Sequence, residues 1–327
     1  YTPIANPSYM VKGWSFGIRP EVLQKNVNKA KKQGAEIVVL LSHNGFDVDQ
    51  KLASMIDGID VILTGHTHDA IPKGIRINDT LLLSSGSHGK YLGRIDLKVK
   101  NGKVVDTSSN LIPVFSDVIP PDPDMTNLIN KIRAPYQEVC NRVIGKTETL
   151  LYRRGNFNGS WDDVICDTIM QERDTEISLS PGFRWGTTLL PGQKITIDDI
   201  YSQTSMNYPE VYRIEMTGKM IKEILEDVCD NIFNPDPFFQ QGGDMVRVGG
   251  LTYTCHPKNK MGNRISNLRI ISSDKPIESN KSYVVGGWGS VNQNVKGPPI
   301  YNLLENYISE KKIIKSSNLE AVKIVGM

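Results

Sequence analysis

The sequence predicts an α/β fold, and three observations carry that prediction. Apolar runs of strand length, Ile37-Val38-Val39-Leu40-Leu41 and Val61-Ile62-Leu63, are separated by segments with helical spacing. The runs are continuous rather than alternating, the pattern of strands covered on both faces by helices. Each run ends in a histidine-bearing turn, Ser42-His43-Asn44-Gly45 after the first and Gly65-His66-Thr67-His68-Asp69 after the second.

Residues 1–19 read as loop and strand. Pro20 suits the first turn of a helix; Leu23, Val27 and Ala30 follow at i, i+4 and i+7, and Gly34 fits the C-terminal cap. A strand over 36–42 comes next, then a helix over 48–57 with Val48, Leu52 and Ile56 on one face, then a strand over 59–64. Strands over 80–85 and 92–99 follow, the second turning at Asn101-Gly102. The prolines of Ile119-Pro120-Pro121-Asp122-Pro123 mark the end of a first domain, 1–121. A linker helix spans 122–144 and should kink at Pro135. A second domain, 145–327, holds a helical pattern from Trp161 to Glu172, a loop Gly182-Phe183-Arg184-Trp185-Gly186 and an alternating strand over 211–216. Its strongest helix is Thr217–Ile232, with a stripe of Ile221, Ile224, Leu225, Val228 and Ile232. Later strands are expected over 251–255, 267–271 and 283–285.

The bulk properties exclude several classes. With 327 residues, 39% hydrophobic and 23% charged, the chain can bury a substantial core. A net charge of +2 with mixed signs and no basic stripe argues against nucleic acid and against a membrane surface. Cys140, Cys166, Cys229 and Cys255 form no metal-binding spacing and read as buried thiols without an assignable pairing. The opening Tyr1-Thr2-Pro3 is neither a translation start nor a signal peptide, so a piece of a longer protein is expected.

The histidines carry the chemistry. In an extended segment His66 and His68 would point the same way. Together with His43 they would meet at the carboxyl edge of the sheet, where α/β folds place their ligands. Each neutral imidazole offers one lone pair to a metal, and Asp69 and Asn44 are candidates to orient the rings. By local chemistry alone the three suit a single catalytic zinc as well as a larger centre.

The Ser42-His43-Asn44-Gly45 and Gly65-His66-Thr67-His68-Asp69 pair resembles the C-terminal half of a dinuclear metallophosphoesterase domain, and residues 145–327 resemble the substrate domain of the 5′-nucleotidase family. The segments Val39–Asp69, Ser180–Gly186, Gln203–Gly218 and Asn231–Arg247 narrow the resemblance to the SoxB thiosulfohydrolase branch. The implied architecture is a partial four-layer α/β/β/α metallophosphoesterase domain plus a mixed α/β 5′-nucleotidase-type domain. The implied cofactors are two divalent metal ions, manganese in this branch, with zinc or iron also fitting histidine ligands. His43 and His66 would bind one ion and His68 the other. The remaining ligands and the catalytic groups are expected upstream of Tyr1, so the piece alone should be inactive. The implied reaction is release of sulfate from a cysteine S-thiosulfonate on the SoxYZ carrier, in the periplasm, by water that the two ions activate. The carrier's flexible arm would enter between the domains.

In the second domain, Arg184 suits a sulfonate or phosphate through its fork of donors. Phe183, Trp185, Tyr208 and Trp288 are candidate substrate contacts. Where the resemblance predicts two phenylalanines stacking a base, this chain has Asn207-Tyr208-Pro209 and Gly286-Gly287-Trp288-Gly289. The competing readings are a 5′-nucleotidase or related nucleotide phosphoesterase, and a non-catalytic binding module. His88 and His256 read as surface-turn and loop residues.

Overall fold

The computed structural model describes residues 8–153, 155–206, 208–240, 242–290, 295–316 and 321–326. Tyr1, Asn207 and Gln241, each part of a segment singled out above, lie outside the described residues. The chain forms two compact units. The first is built mainly from Lys12–Leu128 together with Asn234–Gly242, and the second mainly from Ile129–Phe233 and the chain from Gly243 onward. The first unit therefore runs past residue 121 and takes in a segment that the sequence reading left in the second domain.

The first unit opens with helix α1 (Pro20–Lys32), followed by β1 (Val39–Ser42), α2 (Phe46–Met55), β2 (Val61–Thr64), β3 (Ile75–Ile77) and β4 (Thr80–Ser84). Pro20 sits in the first turn of α1, where its missing N–H is no loss. The strands form one sheet in the order β1-β2-β4-β3, with the first three parallel and β3 antiparallel. Leu52, Ala53 and Ile56 pack with Val27, Val48, Ile59, Ile62 and Leu82 into the core of this unit.

Coverage of the strands differs from expectation. β4 is buried throughout, but on β1 Leu41 is 82% exposed and Val39 is exposed as well. Among the described residues, then, β1 is covered on one face only. Strands β5 (Tyr91–Lys100) and β6 (Lys103–Pro113) form a long two-stranded ribbon. Its turn places Asn101 and Gly102 at φ 51° and 68°, the left-handed pair that suits the twist of a hairpin.

Helix α3 (Pro123–Arg133) stops where Pro135 demands it. A 3-10 turn over Ala134–Tyr136 follows, and then a single turn, α4 (Gln137–Cys140). Proline removes a donor and its ring crowds the preceding turn, so the expected kink is a full break.

The second unit contains β7 (Val143–Thr147), α5 (Ser160–Arg173), β8 (Ile177–Ser180), β9 (Lys194–Thr196), α6 (Ile197–Thr204), β10 (Tyr212–Thr217), α7 (Gly218–Ile232), β11 (Arg247–Gly249), β12 (Leu251–Cys255), β13 (Ile265–Ile270), β14 (Ser282–Gly287), α8 (Ile300–Lys311), β15 (Ile313–Ile314) and β16 (Val322–Ile324). Its largest sheet has the order β10-β14-β8-β11, with β14 and β8 parallel and the outer pairings antiparallel. α6 starts on a capping box in which Thr196 and Asp199 satisfy each other's backbone N–H groups. The α7 stripe buries Ile221, Leu225 and Cys229 against Tyr253, Cys255 and Tyr283, while Thr217 caps the helix. The alternation read into β10 is only partly realised: Met216 is buried but Ile214 is exposed.

Candidate metal-binding histidines and anion-binding loop

In the first unit, the parallel β1 and β2 run in register to Ser42 and Thr64, so the turns that follow start side by side. This brings His43 and His66 together, with ring centres 5.2 Å apart and planes at 74°. Two imidazoles holding one cation at ~2.1 Å place their ring centres roughly 5 Å apart when the angle at the cation is near tetrahedral. The pair fits a shared cation by that measure. Gly65 makes the approach possible, since a Cβ there would lie 3.1 Å from His43 Nδ1.

His68 is placed differently. The premise that residues 66 and 68 share a direction needs an extended backbone, but His66 and His68 have φ of 79° and 59°. The His68 ring instead faces His88, 6.1 Å away. His88 is itself at φ 60°, and its Nδ1 lies 2.9 Å from Ser87 Oγ. Left-handed φ at three non-glycine residues is strained, and such strain gathers at functional sites. Among the described residues, no group of three or more His, Cys, Asp or Glu side chains is placed to hold a metal ion. Among the described residues, the ring contacts pair His43 with His66 and His68 with His88.

Sequence reasoning missed Asp49. This carboxylate on α2 is fully buried and accepts hydrogen bonds from Ser42 Oγ, at 2.7 Å, and from Thr64 Oγ1. It joins the last residues of β1 and β2 immediately before His43 and Gly65. Burial raises its pKa, opposed by the hydrogen bonds from Thr64, Ser42 and Asn44 and by the nearby His43. Asn44 also donates to Ser42 Oγ, 3.1 Å away, so it belongs to the same hydrogen-bonded corner. The signal was present: Asp49 falls within the helical stripe Val48, Leu52, Ala53 and Ile56, where a solvated carboxylate has no place. Asp69 fixes the loop through its backbone carbonyl, which accepts from Ser84 Oγ at 2.6 Å and from Gly86 N at 2.8 Å. The charge on Asp69, after burial, raises the pKa of Asp47.

In the second unit, the loop after β8 carries Arg184. Its Nη2 and Nε lie 2.6 and 2.7 Å from Asp244 Oδ1. Asp244 Oδ2 in turn receives Arg247 Nη2 at 3.1 Å. Asp162 pairs with Arg153 Nε at 2.8 Å, and its Oδ2 lies 3.3 Å from Arg247 Nε. Arg153, Asp162, Asp244 and Arg247 are buried, whereas the Arg184 side chain is 25% exposed. Burial pushes the Asp162 carboxyl up and the Arg153 guanidinium down from their ordinary values; each is opposed by the other's charge.

Phe183 and Trp185 stack at 3.7 Å, and Phe183 packs against the core beside Trp288. Trp288 is a correction. It is 3% exposed and its Nε1 donates to Ser180 Oγ at 2.8 Å, so it is a core residue rather than a ligand contact. Tyr208 is partly buried, which raises its phenol pKa.

Residues 143–290 match the family described as 5′-nucleotidase, C-terminal domain. The SoxB sulfate thiohydrolase of Thermus thermophilus, solved in complex with glycerol, superposes with a TM-score of 0.95 at 35% identity over 100% of this chain and 61% of that one. A 5′-nucleotidase precursor from the same species superposes at TM-score 0.80 and 18% identity, covering 96% and 68% of the two chains, a likeness of fold. Among curated proteins, the trifunctional nucleotide phosphoesterase YfkN of Bacillus subtilis is 26% identical over 76% of this chain and 17% of its own length. Human 5′-nucleotidase is 22% identical over 96% and 63%. The chain thus spans less than two thirds of these two curated relatives and of the SoxB structure. No helix among the described residues is long and apolar enough to cross a membrane.

Proposed function

We propose that the chain is part of a SoxB-type thiosulfohydrolase within the 5′-nucleotidase and metallophosphoesterase superfamily of hydrolases, a reading supported by the match of residues 143–290 and by the likeness to a SoxB structure. The observation that supports this reading most is the match to a SoxB structure over the whole chain at 35% identity. In this reading the protein acts in the periplasm on a carrier protein of the SoxYZ kind, cleaving the S-thiosulfonate of a carrier cysteine. Water forms the new S–O bond, the S–S bond to the sulfonate breaks, and the carrier sulfur keeps the electron pair as a persulfide while sulfate leaves. A sulfur anion leaves readily near neutral pH, because thiols ionise with a pKa near ~8.5, so little general-acid assistance is needed.

Two divalent cations, manganese in our reading, supply an activated water and neutralise charge on the attacked group. His43 and His66 would hold one and His68 the other. Asp49 holds the two strand ends at one spacing, so the His43–His66 pair is set before a cation arrives. In the second unit Arg184 presents a planar donor fork suited to the sulfonate oxygens. Phe183 and Trp185 stack beside it, and Trp288 underpins Phe183 from the core.

The rival reading is a 5′-nucleotidase, which the sequence relatives favour. The deciding experiment supplies the whole protein, loaded with manganese, with a peptide carrying a cysteine S-thiosulfonate and, separately, with AMP. Sulfate release from the peptide without phosphate release from AMP is expected. Phosphate release alone would establish the nucleotidase, and neither product, with no cation bound, would establish a binding module.

A further inference from the structure

We propose that Asp244 is a positioning residue for Arg184, and that the buried arginines behind it give this loop its affinity for anions. The proposal rests on the reading of Arg184 as the anion-binding side chain. An arginine fully paired with a carboxylate is neutral as a unit and attracts an anion weakly. Here the carboxylate is shared: Asp244 Oδ1 takes Arg184 and Oδ2 takes Arg247. Arg153 is matched by Asp162. The five side chains therefore carry one surplus positive charge, and Arg184 is the member that reaches solvent. Arg247 Nε and Asp162 Oδ2 meet as an ion pair at 3.3 Å, and Arg247 Nη1 has no hydrogen-bond partner among the described residues.

The loop is tied down around Arg184. Arg153 donates to the carbonyls of Pro181, at 3.1 Å, and Gln203, at 2.8 Å. Gln203 Nε2 donates to the carbonyl of Thr187 at 2.8 Å. A side chain at Gly182 would run into the backbone of Asp244 and Met245, which keeps that backbone close to the loop. With Nε and Nη2 held on one carboxylate oxygen, the plane of the Arg184 guanidinium is fixed before an anion arrives, and little ordering remains to oppose binding.

The test titrates inorganic sulfate into the full chain by calorimetry, comparing wild type with Arg184→Ala, Asp244→Asn and Asp244→Glu. Simple electrostatics predicts that removing the Asp244 charge strengthens sulfate binding. Positioning predicts the opposite, a loss of at least tenfold in Asp244→Asn with partial recovery in Asp244→Glu at unchanged circular dichroism. Tighter or equal binding by Asp244→Asn overturns the proposal while the reading of Arg184 stands. Equal binding by Arg184→Ala overturns that reading instead. If Asp244→Asn does not fold, Asp244→Glu decides, because it keeps the charge and displaces the guanidinium by a methylene; wild-type affinity there also overturns the proposal.

A separate observation carries a second inference. Cys229 on α7 and Cys255 on β12 are both fully buried, and their sulfurs lie 3.5 Å apart. Closing that gap to a disulfide of ~2.05 Å needs a movement of side-chain size. We infer that these two form a structural disulfide when the chain folds in an oxidising compartment. The two thiols lose two protons and two electrons to an external disulfide, which is reduced to two thiols. Refolding the chain from urea in a glutathione redox mixture, then alkylating and mapping by mass spectrometry, should leave Cys140 and Cys166 alkylated and join the peptides of Cys229 and Cys255. Four alkylated cysteines, or a different pairing, would overturn it.

Discussion

Replacing Asp49 by alanine tests whether the histidine pair is set by a buried carboxylate. Asp49 accepts from Ser42 and from Thr64, the last residues of two neighbouring parallel strands. Hydrogen bonds to a charged group contribute roughly 1.5–3 kcal/mol each, and a buried hydroxyl left without a partner costs about 1–3 kcal/mol. Against this stands the desolvation of the carboxylate itself, large enough to raise its pKa. A net loss of about 2–4 kcal/mol follows for Asp49→Ala. Asp49→Asn keeps the shape and one acceptor, and either hydroxyl can turn to accept from the amide, so it should lose about 1 kcal/mol. Urea unfolding followed by circular dichroism measures both. The same variants, titrated with manganese or zinc in the whole protein, should show affinity lower by ten- to a hundredfold for alanine, the usual effect of removing a group that orders metal ligands. An alanine variant as stable as wild type would refute the energetic argument. Lost stability with unchanged cation affinity would refute the link from Asp49 to the histidines.

Three further outcomes are expected. Burial and the charge of Asp163 push Asp167 up to about 6. A folded pKa above the unfolded one means that its contribution is present below about pH 4 and is lost as pH rises toward 6. Discounted for solvent screening, Asp167→Asn should stabilise the chain by about 1–2 kcal/mol at pH 7 and leave it unchanged at pH 3.5, as read from urea midpoints. Arg153→Ala removes one of the two arginines that face the buried Asp162 and should lower stability by about 3–5 kcal/mol, whereas Arg94→Ala, which removes an exposed pair, should leave the urea midpoint nearly unchanged. Trp288→Phe leaves Ser180 without its indole donor and should cost about 1–2 kcal/mol, as read from urea midpoints.

What could be read from the sequence was local. The apolar runs gave β1 and β2, the prolines gave the start of α1 and an interruption near Pro135 that is a break rather than the expected kink, and the Asn101-Gly102 pair gave its hairpin. The convergence of His43 and His66 followed from two strands that end alike. The direction of His68 did not follow, because side-chain alternation holds only where the backbone is extended, and the loop turns left-handed at His66 and His68. The Arg153–Asp162–Arg247–Asp244–Arg184 cluster draws on distant segments, and no spacing rule links a residue at 153 to one at 247. Asp49 was the exception, a legible residue passed over because an acidic side chain on a helix is usually solvated.

The segment Asn234–Gly242 bears on how this protein can be dissected. Although both neighbouring stretches of chain belong to the second unit, it is part of the first. There Asp236 sits 2.6 Å from Lys51 Nζ, and Phe238 lies beneath that ammonium against the Val27–Leu82 core. No single cut therefore yields two intact halves. A recombinant product ending at residue 128 would lack the Phe238 plug, and one starting at residue 129 would carry that aromatic with its bed gone. Anyone wishing to express the pieces separately would have to graft the nine-residue strap onto the first and bridge its place in the second with a short linker.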